Sequence, residues 1–175
     1  RLQSWRNFRH ADIRLQRRAF ILGPNASGKS NLLQALKFLR AIAEPEGGLR
    51  RAVEELGGVS QIRCLHARKH STIIVDVEIE LGGTPWRYHL EFSQDNQRRP
   101  LIKSEAVWKE GNVLLDRPNE EDKDDPTRLT QTHLEQINAN KEFRPVADFL
   151  GRIRYIHIVP QLIRETGRMV PRQDD

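Results

Sequence analysis

Apolar and polar residues alternate most regularly between residues 72 and 116. Ile73, Val75, Val77, Ile79 and Leu81 fall on one side of this pattern and Ile74, Asp76, Glu78 and Glu80 on the other. After Gly82-Gly83, Trp86, Tyr88, Leu90 and Phe92 repeat it against Arg87, His89, Glu91 and Ser93. Period two on both sides of a Gly-Gly turn predicts an antiparallel hairpin with one buried and one wetted face. Leu101 to Lys109 and Val113 to Asp116, joined through Glu110-Gly111-Asn112, extend it into a meander. Trp86 and Trp108 read as core residues of this sheet.

Upstream the pattern changes character. Ala19-Phe20-Ile21-Leu22 is a continuous apolar run, the signature of a strand buried on both faces in a parallel sheet covered by helices. From Asn31 to Ala43 the apolar residues Leu32, Leu33, Leu36, Leu39, Ile42 and Ala43 share one broad face, with Gln34, Lys37 and Arg40 opposite. That spacing predicts an amphipathic helix, stopped by Pro45. Residues 1 to 5 and 11 to 15 are short candidate strands joined by a turn through Asn7 to His10. Leu49 to Leu56 reads as a short helix ended by Gly57. Further on, 119–125 is an acidic run expected to be a loop. Residues 131–138 and 141–151 carry helical patterns, and Ile153 to Val159 reads as a strand.

Between the apolar run and the amphipathic helix lies Gly23-Pro24-Asn25-Ala26-Ser27-Gly28-Lys29-Ser30, a full match to GxxxxGK[ST]. Its glycines let successive backbone N–H groups converge on one concave point, where nucleotide phosphates can sit. Lys29 adds a cation, and the helix that begins there directs its positive dipole end at the same point. Ser30 is placed to offer its hydroxyl to magnesium. A buried strand before the motif and an amphipathic helix after it form the context that such a phosphate loop needs.

Composition narrows the class. With 37% hydrophobic and 30% charged residues, 175 in all, the chain is long enough for one domain or a large lobe of one. No stretch approaches the roughly 20 apolar residues of a membrane span, and no leader-like segment opens it. A cytoplasmic location is the expectation, in keeping with the lone cysteine, Cys64, which forms no intrachain disulfide. The chain opens on Arg1 rather than methionine and so reads as a piece of a longer one. The net charge of +5 is spread over separate clusters, Arg14, Arg17 and Arg18; Arg50 and Arg51; Arg63, Arg68 and Lys69; Arg98 and Arg99. Little aromatic residue is interleaved with them, so a solvated surface is favoured over a nucleic-acid contact.

Several lookalikes are set aside. Leu56-Gly57-Gly58-Val59-Ser60-Gln61 has the residues of an LSGGQ signature in the wrong order. Val113-Leu114-Leu115-Asp116-Arg117-Pro118 imitates the metal-binding strand "LLLDEP". Yet Arg117 stands where a water-polarising glutamate belongs, and a cation cannot take that role. His66 and His70 share helical spacing but lack a third ligand. No GxSxG elbow or NKxD base-reading motif is present.

Gly23 to Leu36, GPNASGKSNLLQAL, resembles the phosphate loops of SMC/RecF-like ABC-type ATPases and of the related AAA-labelled bacterial ATPases. Leu2-Gln3-Ser4-Trp5-Arg6-Asn7-Phe8-Arg9 resembles the opening of the same group. The resemblance implies an α/β P-loop NTPase lobe with an adjoining antiparallel β-meander, residues 1–175 forming the N-terminal part of one ATP-binding domain. Within it, 1–45 would hold the hairpin, P-loop strand and helix, 72–116 the antiparallel region, and 131–161 helices, a strand and a Q-loop-like segment. ATP and Mg2+ are the implied ligands. Residues 23–31 would contact the nucleotide, Asn7 and Arg9 would add contacts to base or phosphate, and Gln161, after Val159-Pro160, would hold metal and water beside Ser30 and Lys29. Hydrolysis is implied for the complete protein, as a dimer of heads coupled to DNA or to a nuclease or effector partner. The alternative is an ATP-gated DNA-binding or nuclease- or toxin-regulating module with little turnover, and a P-loop kinase or GTPase is the third reading.

Overall fold

A computed structural model describes residues 1–64 and 72–156. Two short strands, β1 (Leu2–Trp5) and β2 (Phe8–Ala11), precede the helix α1 (Lys29–Ala43). The small helices α2 (Leu49–Glu55) and α3 (Val59–Ile62) follow. The long strands β3 (Ile73–Leu81), β4 (Thr84–Gln94) and β5 (Pro100–Lys109) lead to β6 (Asn112–Arg117). After β6 come α4 (Glu120–Asp124), 3-10 turns at Pro126–Thr130 and Lys141–Phe143, and α5 (Arg144–Gly151).

The six strands among the described residues form one sheet in the order β2-β1-β3-β4-β5-β6, antiparallel throughout. The predicted meander is present, and its tight turns have a local cause. Gly82 and Gly83 both lie at positive φ, which matches the right-handed twist of two paired strands. Val75, Tyr88, Leu90, Phe92 and Val107 are buried on one face, and α1 packs there with Phe38 stacked on Phe92 at 5.5 Å between ring centroids. Trp86 joins this core. Trp108 instead lies half-buried beneath the Arg87 guanidinium, 4.6 Å from its ring. In register, Arg87 faces Trp108, and Asp76 faces His89. Asp76 takes two hydrogen bonds from Arg87 and one contact from His89. Among the described residues no helix is long and apolar enough to cross a membrane.

Five predicted elements differ. Ala19–Leu22 forms no strand, and Phe20 and Leu22 are each 89% exposed. A doubly buried strand needs a neighbour on each side, and among the described residues no parallel strand flanks this run. The first hairpin turns earlier than expected, at Arg6-Asn7, because Arg6 adopts φ 51°. Residues 131–138 are turns rather than helix: the N–H groups of His133 and Leu134 donate to the Glu105 carboxylate, leaving them no place in a helical ladder. The acidic run forms α4, because Asn119 and Asp122 make a reciprocal capping box and Asp122 is neutralised by Arg117. Residues 153–156 form no strand, and 157–159 lie outside the described residues.

Arg117 explains why the "LLLDEP" imitation is structural. Its side chain is fully buried, and each of its five N–H groups has an acceptor. Nε and Nη2 grip Asp122 at 3.0 and 2.7 Å, Nη1 donates to Glu105 at 2.9 Å, and the carbonyls of Gln131 and Arg128 take the remaining two at 3.0 Å. Burial pushes the Glu105 carboxyl up, opposed by donors from Arg117, His133 and Leu134. The hydrogen bonds from Arg117 bring Asp122 down to about 2.

Arg117→Ala would strand two buried carboxylates and is expected to cost about 3–5 kcal/mol. Asp116→Ala, on the exposed side of the same strand, should stay within about 0.5 kcal/mol; urea unfolding of both variants measures the contrast. Since Asp122 has a depressed folded pKa, its contribution is full above the unfolded value of 3.8 and is lost as pH falls toward about 2. Unfolding midpoints should therefore drop across that window, and the drop should shrink in Asp122→Asn.

Candidate functional site

The phosphate loop is built by backbone conformation more than by side chains. Ala26 and Gly28 lie at positive φ, 64° and 99°, so the chain coils tightly before α1 begins at Lys29. A turn closes with Ser27 N–H donating to Pro24 O at 3.3 Å, and the Leu32 N–H already reaches Gly28 O at 3.0 Å. The first N–H groups of α1 therefore have no helical partner and point out of its N-terminus, where the dipole makes them an anion site.

Lys29 is held in place. Its Nζ donates to the carbonyls of Gly23 and Pro24, both at 2.6 Å. An ammonium has three donors, and the third has only Ser27 Oγ at 3.5 Å, a distance at the edge of hydrogen bonding that a phosphate oxygen would improve on. The side chain is thus oriented by two of its N–H groups and available through one.

Gly23, Pro24, Asn25, Ala26 and Ser27 are exposed around the loop, Gly28 is buried at its base, and Ser30 is exposed one residue into the helix. Ser30 makes no side-chain hydrogen bond among the described residues, so its hydroxyl is available to an added ligand. The Asn31 side chain is engaged with the first hairpin: its amide donates to Asn7 Oδ1 at 2.8 Å. Asn7 in turn lies against Gly28, so close that a Cβ on that glycine would stand 2.8 Å from the Asn7 amide nitrogen and 2.9 Å from the Phe8 ring. Asn7 is therefore beside the loop; Arg9 is exposed on β2, and its side chain makes no hydrogen bond among the described residues. Gln161 lies outside the described residues. Asp116 is on the opposite edge of the sheet from β2, about 24 Å away at five strand spacings of about 4.8 Å.

One contributor escaped the sequence pattern. The buried Trp5 indole donates to the Asn31 carbonyl at 2.9 Å and packs its ring on Phe38 at 5.2 Å. The partners are 26 residues apart, and no periodicity connects a four-residue strand with the first turn of a helix.

A glycine-rich loop closing on the N-terminus of an amphipathic helix, with an oriented lysine at its centre, defines a P-loop nucleoside triphosphatase domain. Residues 18–156 match the family described as "AAA domain, putative AbiEii toxin, Type IV TA system", and the chain belongs to that family. No curated protein matches the chain, and no solved structure does. Membership makes this an AAA-type P-loop domain, a class that binds ATP with Mg2+.

Gly28→Ala should be poorly tolerated, since φ 99° is unfavourable for an L side chain and the new methyl meets Asn7 and Phe8. A loss of about 1–2 kcal/mol in unfolding free energy is expected; Gly82→Ala, which shares the positive φ at 60° but meets nothing within 4 Å, separates the backbone strain from the contact with Asn7 and Phe8.

Proposed function

We propose that the chain is the ATP- and magnesium-binding lobe of an SMC/RecF-like ATPase head, which hydrolyses ATP in the complete protein and works as a dimer of heads coupled to DNA or to an effector. The nucleotide part rests on one observation above all, the Lys29 ammonium fixed at 2.6 Å by two loop carbonyls at the start of α1. In this reading the backbone of residues 23–29 and the free donor of Lys29 bind the β- and γ-phosphates, Pro24 having no N–H to give. Such preorganised donors need no rearrangement as negative charge shifts during phosphoryl transfer.

Ser30 and Gln161 would hold magnesium. The exposed Ser30 hydroxyl, one residue beyond Lys29, fits that ion, which neutralises phosphate charge when bound. Gln161 would also orient water, and Asn25, Ala26, Ser27 and Asn31 line or support the loop. Asp116 takes no part.

The family description favours a second reading. Its reference to a toxin of a type IV toxin–antitoxin system suits a module in which nucleotide binding gates an effector and turnover is slow. The two readings separate on measured turnover and on growth arrest when the complete protein is expressed without its neighbouring genes.

Lys29→Ala in the complete, folded protein should weaken ATP binding ten- to a hundred-fold, the equivalent of about 1.5–3 kcal/mol for a charge-assisted contact. Titration calorimetry with Mg·ATP and a phosphate-release assay measure it. Unchanged affinity and turnover would overturn the nucleotide assignment.

A further inference from the structure

We propose that the β1–β2 turn is a clamp on the phosphate loop, and that Asn7 is a positioning residue that acts on bound nucleotide through Gly28 and Asn31 without touching it. The inference rests on the nucleotide reading above and assigns Asn7 a different role from a direct contact.

Three observations converge on the turn. Asn7 spends its carbonyl oxygen on the Asn31 amide at 2.8 Å and lies against the Cα of Gly28. Trp5, two residues earlier, fixes the other side of Asn31 by donating to its backbone carbonyl at 2.9 Å. Asn31 is thus held at both its side chain and its main chain by one hairpin, and the loop glycine is backed by the same hairpin. The loop's N–H groups converge only while Gly28 keeps its left-handed conformation, and the turn occupies the space into which it would relax.

The turn is itself braced from the far side. Ser4 and Arg6 both adopt positive φ, 54° and 51°, conformations that non-glycine residues keep only where their surroundings hold them. The Arg6 guanidinium donates to the carbonyls of Leu56 at 3.1 Å and Gln61 at 3.0 Å, and Ser4 O accepts from Cys64 N–H at 2.9 Å. The clamp therefore spans from the end of α2 and from α3 to the phosphate loop. A rigid backing of this kind lowers the ordering cost of binding, which raises affinity with no added contact to the ligand.

The test is a double-mutant cycle in the complete protein, with Mg·ATP as the probe and titration calorimetry as the readout. Asn7→Ala and Asn31→Ala are each expected to weaken binding about five-fold, the loss of one hydrogen bond. The double variant should lose no more than either single one, because the two residues act as a unit. Additive losses, or no loss in Asn7→Ala, overturn the proposal. A spectroscopic arm covers the case of a variant that fails to fold. With Trp86→Phe and Trp108→Phe, Trp5 is the remaining tryptophan of this chain's three, and a backing that is already rigid should leave its emission unchanged on adding Mg·ATP; a shift at saturation means that the backing orders only on binding and overturns the clamp. Lys29→Ala separates the two levels: if it too binds ATP normally, the nucleotide reading fails, whereas loss in Lys29→Ala beside normal binding in Asn7→Ala refutes the clamp alone.

Discussion

The Phe38 ring packs between Trp5 at 5.2 Å and Phe92 at 5.5 Å, and this contact fixes how far α1 stands from the sheet. Burial of one such ring contributes roughly 1.5–3 kcal/mol, and each aromatic pair about 0.5–1.5 kcal/mol more. Its effect on position matters as much. A helix held at its middle by the sheet and at its first turn by Trp5 has little freedom to slide, so its N-terminus and the loop before it are carried to a set place. The chemistry of the phosphate site is thereby tied to a hydrophobic contact two turns along the same helix.

At the other end of the sheet the organising contact is ionic. Arg117, Glu105 and Asp122 are all removed from water, and burying such charges is costly unless every donor and acceptor is matched. Here the match is complete for the guanidinium, and the backbone of residues 128–134 is drawn in to achieve it. The cluster closes the far side of the core by bending that segment. It also turns a motif that imitates a metal-binding strand into a structural one, with Asp116 left in solvent and its neighbour inside.

Residues 23–30 were legible as a phosphate loop without any structure, because the chemistry lies in the backbone freedom of two glycines and in one lysine that follow each other in the chain. The meander was equally legible, since alternation with period two and glycine at positive φ are local properties. So was α1, from the width of its apolar face. Where expectation and structure part, the deciding partner is distant in sequence. The run Ala19–Leu22 has the composition of a buried strand, but composition cannot supply the neighbouring strands that would bury it. Residues 131–138 have helical spacing, but a carboxylate from β5 takes their N–H groups.

The sequence by itself thus determined that a nucleotide-phosphate loop opens an amphipathic helix beside an antiparallel sheet, for these follow from residues adjacent in the chain. Only the tertiary structure decided that Trp5 and Asn7 back that loop, that Arg117 is buried, and that Asp116 stands at the opposite edge of the sheet. Each of those depends on which surfaces meet after folding, and a hydrogen bond across 26 residues leaves no periodic trace in the order of the amino acids.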